Sequence, residues 1–166
     1  MIIFEIFLIL ILFYIILLLS YSLIFGAPYA GLGRKRIETM FELLNATKGK
    51  KSIDIGSGDG RIVIEASRHG LHAYGVEINP ILYIVSKIKI RNSGSKNTKI
   101  LLKDMWQLNF SSYDYVTIWG TKHMVKNLGV KLKKEVKPGA KIVSNHFQFT
   151  NWKPKKSKDD VYLYIK

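Results

Sequence analysis

The sequence predicts one α/β domain, a largely parallel sheet between helices, behind an N-terminal apolar helix. Three observations carry that expectation. From residue 37 onward, apolar β-branched runs alternate with stretches of helical period. One such run, Lys51–Ile55, breaks into a loop with glycines at 56, 58 and 60 and then a helical stretch, so the backbone can approach a ligand closely and aim unpaired N–H groups at it. Residues 6–25 contain no charged side chain. The length of 166 residues supports a single domain, and the absence of cysteine excludes disulfides, thiolate catalysis and cysteine-ligated metals.

Taken in order, the apolar stretch comes first. About twenty helical residues at 1.5 Å each span roughly 30 Å, the hydrocarbon thickness of a bilayer, so residues 1–25 are expected to form a transmembrane anchor. A signal peptide would have a basic flank and a shorter apolar core, and a transit peptide would be rich in arginine; this segment has only Glu5. Arg34, Lys35 and Arg36 follow it closely, which by the positive-inside rule would put the rest of the chain in the cytoplasm. The net charge of +14, with all 26 Lys and Arg beyond the apolar stretch, favours anionic lipid headgroups, acidic protein surfaces or nucleic acid. No RNA-binding module signature is present, and nucleic acid is not the expected partner. Residues 26–36 read as a membrane-proximal linker and lip, and 37–166 as the domain proper. Ile37, Met40, Phe41 and Leu44 mark its first amphipathic helix.

The glycine loop differs from a dinucleotide fingerprint, whose third glycine falls three positions after the second. Here the pattern is G-x-G-x-G, with Asp54 two residues before Gly56. It resembles motif I of the class I S-adenosylmethionine (SAM) methyltransferases. That resemblance implies a cofactor loop of Gly56, Ser57, Gly58 and Gly60, with Asp54 near the amino end of the methionine part. A second strand over 71–76 ends in Glu77, whose carboxylate can accept from both ribose hydroxyls at about 1.5–3 kcal/mol per bond. Asn79-Pro80 reads as the N-cap and first residue of a helix over 81–91. A third strand over 99–102 runs into Asp104-Met105-Trp106, where Asp104 can reach the adenine amino group. The three acids stand at the carboxyl ends of successive predicted strands, where open α/β sheets bind ligands.

Further segments narrow the resemblance. Gly26-Ala27-Pro28-Tyr29, residues 54–61, residues 75–80, Asp104-Met105-Trp106, residues 113–116 and Val143-Ser144-Asn145 occur in one order. Together they resemble the small seven-β-strand protein-lysine methyltransferases, including those for the mitochondrial ATP-synthase c-subunit and the adenine nucleotide translocase, and their archaeal relatives. The resemblance covers residues 26–166 and implies a Rossmann-like class I sheet flanked by helices, SAM as cofactor and a protein substrate. Where relatives carry Pro-Thr-Pro after the Pro-Tyr, this chain has Gly31-Leu32-Gly33, which alters the lip.

The acceptor side is read from the second half. A fourth strand over 115–119 ends in Trp119-Gly120, without the Asn/Asp-Pro-Pro-aromatic pattern that holds planar nitrogens. That counts against adenine-N6 or glutamine methylation, and an aromatic wall suits a flexible amine. Trp119 reads equally as core. A helix over 122–134, a Pro138-Gly139 turn, a strand over 141–147, a basic loop over 152–158 and an antiparallel edge strand over 161–165 complete the domain. Tyr29, Trp119, Asn145 and Phe147 are the expected acceptor channel, the aromatics as walls and Asn145 or a backbone carbonyl as hydrogen-bond acceptor for the amine. His146 sits near enough to invite a general-base role, although lone histidines are usually structural. His69, His72 and His123 have no metal-binding spacing, and no metal is expected. The leading expectation is a membrane-anchored protein-lysine methyltransferase. The alternatives are a methyltransferase for a membrane-dissolved lipid or quinone, and a non-catalytic SAM-binding module.

Overall fold

The computed structural model describes residues 2–25 and 32–166, and of residues 18–25 the backbone alone. The chain opens with α1 (Ile2–Phe25), whose side chains from residue 2 to 17 are all exposed. The expected transmembrane anchor is not upheld: among the described residues no helix is long and apolar enough to cross a membrane. The bilayer partner expected through residues 1–25 rests on that anchor and loses its support.

The domain consists of α2 (Arg34–Leu44), β1 (Lys51–Ile55), α3 (Arg61–Arg68), β2 (His72–Glu77), α4 (Pro80–Asn92), β3 (Thr98–Leu102), β4 (Tyr115–Ile118), α5 (Lys122–Glu135), β5 (Lys141–Asn145), β6 (Lys156–Lys158) and β7 (Val161–Ile165). A single 3₁₀ turn, Met105–Gln107, follows β3. The strand order is β3-β2-β1-β4-β5-β7-β6, parallel through β5 and antiparallel in the last two strands. The parallel, helix-flanked sheet agrees with the class I methyltransferase expectation.

The period of two along each strand divides the core between the faces. On one face Tyr115, Val143, Val161 and Leu163 meet Ile37, Met40, Phe41 and Leu44 of α2 and Ile62, Val63 and Ala66 of α3. On the other, Val116, Ile118, Ile142 and Tyr164 meet Val125, Leu128 and Leu132 of α5. Burying that apolar stripe holds α5, which is otherwise rich in lysine, against the sheet.

Three boundaries differ from expectation, each for a local reason. α2 begins at Arg34, inside the stretch read as linker. β5 stops at Asn145 because His146 turns to φ +71, which a ladder cannot continue. The basic loop contains β6, a short lysine-bearing strand that pairs with β7 and forms the outer edge of the sheet. Charged side chains on a short strand deter further edge pairing.

Candidate functional site

The site is built at the carboxyl ends of the parallel strands. β1 ends one residue after Asp54, β2 ends in Glu77, and Asp104 follows β3 by two residues. Because β3, β2 and β1 are neighbours in register, one rim of the sheet carries all three acids. The glycine loop passes over this rim. Gly56 and Ser57 donate their N–H groups to the Val76 carbonyl at 2.9 and 3.0 Å, and Gly56, Gly58 and Gly60 all have φ between +55 and +81. Such backbone is open to glycine without strain. Gly75 on β2 lets the loop lie this low, since a Cβ there would come within 2.7 Å of the Ser57 side chain. Ser57 Oγ is buried beneath the loop and finds no hydrogen-bond partner among the described residues.

Asp54 is 3% exposed and accepts a 2.7 Å hydrogen bond from the Thr117 hydroxyl on β4. Burial pushes its carboxyl up from 3.8 to about 7; the Thr117 bond opposes this, while the Glu77 and Asp59 charges add to it. Among the described residues no cation lies within ion-pair distance of Asp54. A buried carboxylate so placed is suited to a ligand carrying an ammonium group.

Glu77 has a second role that its position at a strand end did not disclose. Its Oε2 accepts from Gly58 N–H at 2.8 Å, and its Oε1 from the N–H groups of Ile78 and Asn79, both at 2.9 Å. A carboxylate offers about four lone-pair sites. One position, on Oε2, is therefore left for a ligand hydroxyl. Asn79 is a helix cap, its Oδ1 accepting from Ile81 and Leu82 N–H at 2.9 and 3.3 Å. Asp104 caps the 3₁₀ turn through Trp106 N–H at 3.0 Å, holding Met105 half-buried and Trp106 at 42% exposure on the rim.

The acid and base inside the glycine motif, Asp59 and Arg61, form a strap. Arg61 Nε and Nη2 donate to Asp59 at 2.9 and 2.8 Å, and Arg61 Nη1 donates to the Leu32 carbonyl at 2.7 Å. Lys89 from α4 reaches the same Asp59 carboxylate at 2.6 Å. The strap ties the glycine loop to α4 and to the segment leading into α2. An arginine in the first turn of a helix opposes the macrodipole; that misfit was the available signal that Arg61 is held by something else.

The expected acceptor residues are only partly gathered. Trp119 follows β4, half-buried against the α2 and α3 face of the core. Asn145 ends β5 and is 2% exposed, and its Oδ1 accepts from Arg36 Nη1 of α2 at 3.0 Å. That bond takes one of the two lone pairs of the amide oxygen, so Asn145 is fixed in place by Arg36 while its Oδ1 keeps a second accepting position. Phe147 packs on the opposite face, against the α5 side of the core, edge-on to His146 at 4.6 Å. The side chain of His146 is exposed. Tyr29 lies outside the described residues. Among the described residues no cluster of His, Asp or Glu could hold a metal.

Comparison with known proteins agrees with this geometry. A human protein named as the lysine N-methyltransferase of the ATP synthase c-subunit is 36% identical over 128 residues, 76% of this chain and 54% of its own length. A Saccharolobus islandicus protein-lysine N-methyltransferase is 31% identical over 149 residues, covering 83% of this chain and 92% of its own. Among solved structures, an RNA methyltransferase from Salinibacter ruber in complex with S-adenosyl-L-homocysteine superposes with a TM-score of 0.79 at 27% identity, over 82% of this chain and 93% of that one. The chain spans about half the length of the animal relatives it matches. The family model described as the ANTKMT methyltransferase domain matches residues 54–156, from the acid of the glycine loop to the start of β6, and the chain belongs to that family.

Proposed function

We propose that this protein is a SAM-dependent methyltransferase that modifies lysine side chains of proteins. The observation that carries the reading is the buried, cation-free Asp54 carboxylate beneath a glycine loop, in a chain whose relatives are named as lysine methyltransferases. The residues fit the cofactor. Asp54 suits its ammonium, Glu77 keeps one position for a ribose hydroxyl, and Asp104 with Met105 and Trp106 forms the rim for adenine. Ser57 Oγ supplies a buried polar atom still needing a partner. When bound, SAM supplies an electrophilic methyl carbon on a positively charged sulfur.

The chain's own task is to deliver a neutral amine. A lysine with pKa near 10.4 needs about 4.6 kcal/mol to deprotonate at pH 7. An apolar channel lowers that cost by disfavouring the ammonium, and Trp119 and Phe147 supply aromatic surface at the strand ends, joined by Tyr29 on sequence grounds. Asn145, held by Arg36 through one lone pair of its Oδ1, keeps the other for the amine hydrogens, alongside backbone carbonyls.

The test is to incubate purified protein with methyl-labelled SAM and cell extract, then identify the labelled material by mass spectrometry. Label on protein lysines is expected. Label confined to lipid, quinone or RNA would overturn the lysine assignment.

A further inference from the structure

The face of the sheet covered by α5 carries a groove that the methyltransferase reading does not use. It lies between α5 and the loop that descends from β5, and encloses about 310 Å³. Its floor is aromatic and fixed. Phe149 and Trp152 stack with centroids 5.8 Å apart, and both rest on the buried Tyr164, at 4.5 and 5.5 Å. The Tyr164 hydroxyl accepts from Phe149 N–H at 3.1 Å, anchoring the loop to β7. At the mouth stands Val130, 62% exposed, an apolar side chain pointing away from the core that holds α5 in place.

The rim is of one charge. Lys126, Lys133 and Lys134 line the groove, and no acid does. Among the described residues none of the three is ion-paired, while Lys131 is paired with Glu135 and lies outside the lining. Lys133 leans across the groove to donate to the Asn151 carbonyl at 2.9 Å, which places its ammonium over the opening. The volume is at the low end of the roughly 300–1,000 Å³ of ligand sites, room for one or two large side chains.

We propose that this groove docks an acidic segment of a partner protein, one large apolar side chain entering between Val130 and Trp152 while flanking carboxylates meet the three lysines. Single-stranded nucleic acid would also answer the charge, but it binds by stacking bases on open aromatic faces. Phe149 is only 4% exposed and covered by Trp152, so the floor offers an insertion slot rather than a stacking platform. The loop that walls the groove runs directly from Asn145 and Phe147, so a segment seated there is tethered beside the acceptor end of the sheet. The proposal rests on the lysine-methyltransferase reading only in taking the docked partner to be the substrate.

The experiment measures docking without turnover. Fluorescence anisotropy of a labelled Asp-Glu-Trp-Leu-Asp-Glu peptide against the full chain should saturate. Val130→Glu and the double variant Lys126→Glu/Lys133→Glu should each weaken binding about tenfold or more, with SAM affinity and melting temperature held. A Lys-Lys-Trp-Leu-Lys-Lys peptide should not bind. Docking that persists when methyl transfer to lysine is absent would sink the functional reading while leaving the groove intact. Absence of saturable binding, indifference to both variants, equal binding of the basic peptide, or displacement by single-stranded oligo(U) would overturn the groove.

Discussion

The Glu77 carboxylate holds the Gly58 N–H at 2.8 Å, so the acid that closes β2 also fixes the tip of the glycine loop. Glu77 is 7% exposed and accepts two further backbone N–H groups. Removing it leaves buried donors unpaired at about 1–3 kcal/mol each. Glu77→Ala is therefore expected to lose SAM binding and about 3 kcal/mol of stability together. Glu77→Gln, which keeps one acceptor oxygen, should lose less stability while still weakening SAM binding. Calorimetric titration with urea unfolding checks both, and a Glu77→Ala protein as stable as the parent would contradict the loop-holding role.

Asp54 makes cofactor binding depend on pH. Its folded pKa is raised, so its contribution to the stability of the free protein is fully present below about pH 4 and is lost as pH rises through about 7. A bound ammonium prefers the ionised carboxylate, so SAM binding should tighten with rising pH and level off above 7, weakening about tenfold per unit below it. Asp54→Asn should bind SAM weakly at every pH and flatten both profiles. Titrations between pH 5 and 8.5 at fixed ionic strength measure this.

Breaking the strap should be costly. The Asp59 side chain is 4% exposed and faces both Arg61 and Lys89. Asp59→Asn leaves those cations without their shared carboxylate, for which removal of one partner of a buried pair costs about 3–5 kcal/mol. Both cations are partly solvated, so a value near the lower end is expected from denaturant unfolding. Arg61→Lys keeps the charge but loses the fork to Asp59 and Leu32, and should weaken SAM binding.

Arg36 and Asn145 separate acceptor geometry from cofactor binding. Arg36→Met frees the Asn145 amide at the end of β5. Methyl transfer should fall about tenfold in kcat/KM for the acceptor, a typical result of small misplacement near the chemistry. The Kd for SAM should stay within about twofold. A parallel loss of both would assign the pair to the fold as a whole.

Much of the site was legible because its signals are local. Asn79-Pro80 sets a capping side chain directly before a residue suited to the first helical position, and α4 starts there. Strand alternation and glycine spacing placed Asp54, Glu77 and Asp104 at successive strand ends without reference to anything distant. The apolar run of residues 6–25 shows the limit of such reading: composition argued for a bilayer span, and the described helix does not provide one.

What the sequence determined by itself was therefore the succession of elements and the acids that end them, since periodicity, capping and glycine conformation act within a few residues. The tertiary structure alone decided how each polar group is used. Arg36 reaches Asn145 across 109 residues, Thr117 reaches Asp54 across 63, and Gly58 takes one of the Glu77 lone pairs that spacing had assigned to a ligand. Such hydrogen bonds have no local footprint, because a buried donor takes whichever acceptor the packed sheet brings within about 3 Å.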